Sequence, residues 1–257
     1  MREHISFSEF KLWSECTWRH KLKYIDGLDD FTGNAFTAFG TAIHSACEDI
    51  AAKKTEGIEE KFLNTFEEEV NSLQEVNDKD RKLITEMKEQ GKGILPHVLA
   101  EIEAKFPNYE LVAVEEDLFE EFEEGGIKFK GFIDLIIKTE DGKYHIIDWK
   151  SCSWGWDAKK KADKILGYQL VFYKWFWAQK HNVPLENIET HFGLLKRTAK
   201  RNRVEIFRIT SGKKKVDNAL TYLKNAVINI KRQRYIKNRL SCKWCPFYKT
   251  HLCSATY

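Results

Sequence analysis

Two apolar, β-rich runs joined by Asp141-Gly142 constrain this chain more than any other feature of its sequence. Residues 127–138 and 143–151 are rich in Ile, Phe and Tyr, and an Asp-Gly pair between such runs closes a tight hairpin because both turn positions accept positive φ. A similar run, 110–122, precedes them across Gly125-Gly126. The centre of the chain therefore reads as a meander of three antiparallel strands. Asp134 lies in the second of these, and the third ends on Asp148-Trp149-Lys150. Side chains alternate across a strand, so Asp148 and Lys150 share one face and Trp149 takes the other. An acid and a lysine two apart are an odd end for a strand that has just passed Ile146-Ile147. Taken alone, the pair also suits a surface ion pair.

Helical patterns flank this centre. Apolar residues recur at helical spacing over 5–24, with Ser6 or Ser8 as N-cap, and over 39–54. Residues 57–106 carry the same period at Phe62, Phe66 and Val70, broken near Gly91, Gly93 and Pro96. An aromatic-striped helix over 163–181, strands near 188–196 and 203–209, and a helix over 212–235 follow. The expected fold is α/β (α+β), a mixed central sheet flanked by helices. Its length suits one domain, 1–257, with 50–106 as a helical insertion.

The net charge of +3 hides an asymmetry. Residues 196–257 hold 17 Lys and Arg against Glu205 and Asp217, which is +15 and leaves about −12 for 1–195. Such a split points to a polyanionic partner, although solvated helix faces are also Lys-rich. No apolar run is long enough for a bilayer and the first residues are no signal peptide, so no membrane partner and a reducing cytoplasm are expected.

Hard divalent cations prefer oxygen ligands, and Mg²⁺ takes one or two carboxylates with water and substrate phosphate. Asp134 and Asp148 can supply those carboxylates, with Lys150 steadying the phosphate charge or the attacking water. His44 and Glu48 are four apart and share a helix face, which makes His44 a candidate ligand beside the bland reading of a core histidine. Gln169 and Tyr173 repeat that spacing on the aromatic helix, as hydrogen-bond donors or as ordinary packing.

The ordered set Gly40-x-x-x-His44, Gly131-x-x-Asp134, Asp148-x-Lys150 and Gln169-x-x-x-Tyr173 resembles the PD-(D/E)xK nuclease superfamily, closest to its RecB-like branch with AddB-type and CRISPR-adaptation nucleases. The resemblance runs from about residue 5 to 253. It implies a restriction-endonuclease-like fold and a Mg²⁺ or Mn²⁺ ion held by His44, Asp134, Asp148 and the Trp149 backbone carbonyl. It further implies that Lys150 orients the water, that Gln169 and Tyr173 position Lys150 and DNA, and that Glu48 and either Glu115 or Glu116 stand as outer acids.

Cys242-Lys-Trp-Cys245 is a C-x-x-C pair, and in a cytoplasmic chain metal binding outranks a disulfide. The same resemblance implies a [4Fe–4S] cluster on Cys16, Cys242, Cys245 and Cys253, clipping segment 236–257 to the N-terminal part, with structural Zn²⁺ as the alternative for four thiolates. The gap from Cys245 to Cys253 is longer than the family's usual five residues, and Thr17 stands where proline is common. Cys47 and Cys152 read as buried or incidental.

The implied function is a metal-dependent DNA nuclease, an exonuclease on DNA ends or single strands in recombination or repair. Lys159, Lys160, Lys196, Arg197, Lys200 and Arg201 are expected to grip phosphates, and aromatic residues to stack on bases. The chain lacks a G-x-x-x-x-G-K-[ST] motif, so any helicase or recombination protein would be a separate partner. A stand-alone nuclease of this size also suits a phage, which would place it in the host cytoplasm. The competing reading is a non-catalytic nucleic-acid-binding protein with a structural four-cysteine centre.

Overall fold

The computed structural model describes residues 3–28, 33–122 and 126–254. Gly125, expected to help separate two strands, lies outside them. In chain order the elements are β1 (His4–Ser6), α1 (Phe7–Glu15), α2 (Thr17–His20), α3 (Ala35–Ala51), α4 (Ile58–Asn71), α5 (Asp78–Ile94) and α6 (Val98–Lys105). There follow β2 (Glu110–Phe122), β3 (Ile127–Lys138), β4 (Tyr144–Cys152), α7 (Ala158–Lys161), α8 (Lys164–His181), β5 (Ile188–Lys196), β6 (Val204–Ile209) and α9 (Lys213–Lys231). No helix among the described residues is long and apolar enough to cross a membrane.

The chain forms two compact units. The larger comprises Thr32–Leu118 and Phe132–Lys215. In it β3 pairs antiparallel with β4, β4 parallel with β5, and β5 antiparallel with β6, the mixed sheet expected from sequence. The expected third strand is present too, as β2 pairs with β3. One face of the sheet, through Leu135, Ile137, Ile147 and Trp149, shares a core with the Ala-rich face of α3 and with Phe62 and Phe66 of α4. Asn34 starts α3 through a capping box with Thr37, which satisfies the first free amides of the helix.

The expected break near Gly91 and Gly93 does not occur, since α5 runs through both to Ile94 and a short 3₁₀ turn over Leu95–His97, containing Pro96, ends it. Both glycines serve close packing instead: a Cβ on Gly91 would enter the ring of Phe62, and one on Gly93 the guanidinium of Arg203. A missing side chain reads as a breaker in sequence and as a contact surface in the fold.

The smaller unit comprises Met1–Phe31, Phe119–Gly131 and Val216–Tyr257. Here β1 pairs parallel with the first part of β3, from His4–Lys128 to Ser6–Lys130. The single helix expected over 5–24 is instead a strand, two helices and a π-helical turn over Lys21–Ile25. Ser6 is the N-cap of α1, and Cys16, with φ −162°, is extended backbone that parts α1 from α2. Phe10 and Trp13 of α1 pack edge-on against Tyr222 of α9.

Candidate active site

The β3–β4 ladder runs from Lys138–Tyr144 to Leu135–Ile147. Asp134 and Asp148 are the next residues on each strand, so both acids stand where the ladder ends. Beyond that point β4 continues against β5 alone, with Asp148 beside Phe192, Trp149 beside Gly193 and Lys150 beside Leu194. The Trp149 amide donates to Asp134 Oδ2 at 2.6 Å. The Trp149 side chain is fully buried and lies against Gly193, where a Cβ would collide with its indole. The alternation expected from sequence holds: Trp149 is anchored in the core on the α3 side, and Asp148 faces α8.

Asp148 is buried at 2% exposure, and its two oxygens have different partners. Gln169 Nε2 lies 3.0 Å from Oδ1, and the Lys150 ammonium lies 2.6 Å from Oδ2. Gln169 Nε2 also lies 3.0 Å from the Tyr173 hydroxyl, so the i,i+4 pair on α8 reaches Asp148 as one unit. Burial, aided by the charge of Asp148, pushes the Tyr173 phenol far above its ordinary value, and Tyr173 therefore stays protonated.

His44 Nδ1 of α3 lies 3.5 Å from Asp134 Oδ2. Burial opposes the charge on Asp134, but His44, Lys150 and the Trp149 amide outweigh it and hold that carboxyl below its ordinary value. Asp148 goes the other way. Burial pushes it up to about 6 against the pull of Lys150, and the neighbouring Asp134 charge adds to the rise. Two acids with opposite shifts mark a site where negative charge is crowded.

Glu48, one turn beyond His44, extends the crowd. Burial first, then the charges of Glu115 and Asp134, push its carboxyl up to about 7. This separates the two outer acids that sequence left open. Glu115 belongs with Glu48, whereas Glu116 is bound by Trp177 Nε1 at 3.2 Å, His181 Nε2 at 2.6 Å and Lys180 Nζ at 3.0 Å. The backbone explains the parting: Glu115 has φ +47°, a left-handed residue inside a strand that resets its alternation.

The donor set fits a hard divalent ion. Two carboxylates, an imidazole and a backbone carbonyl offer mainly oxygen, and burial, with the negative charge of neighbouring acids, pushes Glu48 and Asp148 both towards keeping their protons. Among the described residues, His44, Asp134 and Asp148 do not close to the mutual spacing of a single ion's ligands. The group that does is His145, Glu189 and His191, whose ligand atoms lie within 4.8 Å of one another. Sequence reading missed that group, because its members are spread over two strands that only the parallel register unites.

The expected phosphate-gripping cations divide into two sets. Lys196 pairs with Glu205 at 2.8 Å, and Arg197 donates to Gln90 at 3.1 Å and stacks on Phe36, so both are turned inward at 8% and 7% exposure. Lys159, Lys160, Lys200 and Arg201 are exposed, Lys160 lying over the Trp156 ring. Lys200 and Arg201 border an open cleft with Arg203 and His97.

In the smaller unit Cys16, Cys242, Cys245 and Cys253 line one cavity. All six cysteines are free, and their sulfur atoms form no metal-binding cluster among the described residues. The C-terminal segment is tied to the N-terminal helices by other bonds. Ser241 Oγ and Asn238 Nδ2 both donate to the Glu15 carbonyl, at 2.7 and 2.8 Å, and Trp18 Nε1 donates to the Leu252 carbonyl at 3.1 Å. The Asn238 amide points at Cys16 Sγ from 3.4 Å. Cys47 sits in the main core, where burial raises its thiol well above the ordinary value, and Cys152 is half-buried.

The sequence profile of one family, described as the PD-(D/E)XK nuclease superfamily, matches residues 4–250. No curated protein matches the chain. Among solved structures, a candidate exonuclease from Eubacterium rectale aligns with TM-score 0.60 and 15% identity, over 95% of this chain and 86% of that one. SSO0001 aligns with TM-score 0.38 and 14% identity, over 90% of this chain and 91% of that one.

Proposed function

The chain belongs to the PD-(D/E)XK nuclease superfamily, and on that premise we propose that it is a divalent-metal-dependent DNA nuclease of the RecB-like kind, an exonuclease acting on DNA ends or single strands in recombination or repair. The observation that carries this reading is the set of contacts among His44, Asp134, the Trp149 amide, Asp148 and Lys150 where the β3–β4 ladder ends. The Eubacterium rectale neighbour is itself described as an exonuclease candidate, which accords with the choice of reaction.

His44, Asp134, Asp148 and the Trp149 carbonyl would hold Mg²⁺ or Mn²⁺. When bound, such an ion polarises a phosphate and makes water a nucleophile at neutral pH. The protein's own part is electrostatic. Lys150 carries a positive charge to the place where the phosphate gains negative charge as its bond breaks. Gln169 fixes the carboxylate that Lys150 leaves when it turns to substrate, and Tyr173, protonated throughout, fixes Gln169. The exposed Lys159, Lys160, Lys200 and Arg201 guide the phosphate backbone. The whole chain acts as one nuclease domain, with α4 to α6 as its helical insertion.

The same reading includes a [4Fe–4S] cluster on Cys16, Cys242, Cys245 and Cys253, structural in role. Its support is the cavity these thiols share and the Asn238 amide directed at Cys16 Sγ. Anaerobically purified protein should be brown with broad visible absorbance; a colourless protein with stoichiometric zinc refutes the iron assignment.

End-labelled single-stranded, double-stranded and circular DNA, incubated with Mg²⁺ or Mn²⁺, tests the activity. Linear DNA should be degraded progressively from an end while closed circles stay intact. Cutting of circles overturns the exonuclease reading, and inertness towards every DNA with either ion overturns the nuclease reading.

A further inference from the structure

The first residues of β4 and β5 lie side by side in parallel register, His145 beside Glu189 and Ile147 beside His191. Register partners share a face and so do residues two apart, so His145, Glu189 and His191 project from the same face. Asp148, three residues beyond His145, points to the other. The trio is therefore separate from the candidate active site.

The two imidazoles meet edge to edge, His145 Nδ1 lying 3.1 Å from His191 Nε2. Two nitrogens bound to one zinc ion at its usual bond length and tetrahedral angle are about 3.3 Å apart. The observed separation is thus within a few tenths of an ångström of ligand spacing. Phe106 packs on both rings, with centroids 4.6 and 5.1 Å away, and fixes their orientation.

Hydrogen bonding decides which nitrogens are available. The Thr139 hydroxyl lies 2.5 Å from Asp141 Oδ1 and 2.9 Å from His145 Nε2. Its one proton goes to the carboxylate, so it accepts from His145 Nε2–H, and the Nδ1 lone pair is left facing His191. This is the support a metal-binding histidine commonly has. His191 Nδ1 is buried and has no partner among the described residues. The His191 proton can therefore move from Nε2 to Nδ1 without breaking a bond at Nδ1, which frees the second lone pair.

The surrounding charges leave a role for the acid. Lys143 and Arg208 both approach Glu189 Oε1, each at 3.2 Å, and leave Oε2 for a ligand. An open cleft bordered by Lys105, Asp141 and Arg208 gives access from solvent and room for a water as the remaining ligand.

From these contacts we infer that His145 Nδ1, His191 Nε2 and Glu189 Oε2 form a second metal site, specific for a zinc-like transition ion rather than Mg²⁺, that staples the start of β4 to β5. Two nitrogens among three protein donors suit zinc and cobalt, whereas magnesium takes a set dominated by oxygen.

The test is a Co²⁺ titration of the full-length protein in saturating Mg²⁺, read by visible absorption. Cobalt bound to nitrogen and oxygen gives weak visible bands, without the strong near-ultraviolet bands of thiolate ligation. The wild type should bind one such equivalent. His145→Gln and His191→Gln should lose it, and Glu189→Gln, at a partly exposed side chain, should weaken it at least tenfold. Mg²⁺-supported nuclease activity should be unchanged in the Glu189 variant. Cobalt binding by Glu189→Gln equal to that of the wild type, or a wild type without this signal, overturns the site even if the histidine variants fail to fold.

Discussion

Asp134 Oδ2 accepts the Trp149 amide proton at 2.6 Å, in place of a strand partner that has already turned away. The N–H and C=O of one extended residue point to the same side. The bond therefore orients the Trp149 carbonyl towards Asp134 and sets a carboxylate and a carbonyl oxygen at one point with a single contact. The conformation of the site is fixed by backbone geometry before any substrate arrives.

If Lys150 supplies charge to the reacting phosphate, Lys150→Ala should lower the cleavage rate by roughly 100- to 1,000-fold. Asp148→Ala should abolish cleavage, and both variants should still bind DNA. Parallel gel-shift and end-label assays check this; undiminished degradation of labelled DNA by Asp148→Ala removes the assignment.

Gly193→Ala should impair the site without touching an acid. The added methyl would collide with the Trp149 indole, and overpacking of this kind costs about 1–3 kcal/mol. Because Trp149 also carries the amide held by Asp134, the strain passes to the Trp149 carbonyl, and, on the proposed role of that carbonyl, cleavage should fall with stability. Urea denaturation and nuclease assays on the same preparation would show the two losses together.

Glu115→Gly should separate stability from activity. At φ +47° a side chain carries backbone strain that glycine escapes, so the variant should be as stable as the wild type or up to about 1 kcal/mol more so. Loss of the carboxylate beside Glu48 should nonetheless slow cleavage. A melting temperature well below that of the wild type would show that the bulge is not strained.

Glu116, whose partners are Trp177, Lys180 and His181, gives stability a pH dependence. Burial opposes its charge, but hydrogen bonds from His181, Lys180 and Trp177 outweigh it, and its carboxyl lies below the ordinary value. A lowered folded value means stability that is present in full above the unfolded pKa, about 4.3, and is lost as pH falls through the folded one. Glu116→Gln should thus be about 1–3 kcal/mol less stable than the wild type at pH 7, with the gap closing below about pH 4. Denaturation curves at pH 7 and pH 3 decide it; an equal gap at both rules out the charge as cause.

The strands and the order of elements were legible because their signals are local. Asp141-Gly142 fixed the hairpin, alternation placed Trp149 opposite Asp148, and i,i+4 spacing paired Gln169 with Tyr173. What escaped depends on contacts between distant segments. Gly91 looks like a helix breaker until Phe62 is seen beside it. Glu115 and Glu116 look equivalent until one positive φ divides them. Lys196 and Arg197 look like exposed cations until Glu205 and Gln90 are found to hold them. His145 and His191, 46 residues apart, become neighbours only through the parallel register of β4 and β5.

The ion pair between Lys150 and Asp148 has a consequence for selectivity. The lysine acts as a tethered counter-ion, always at high local concentration beside the carboxylate. A sodium or potassium ion carries no more charge than this resident ammonium and gains nothing by evicting it. If the proposed ion binds here, only a doubly charged newcomer tips the exchange, and the chain would reject monovalent ions through a competitor that it carries itself.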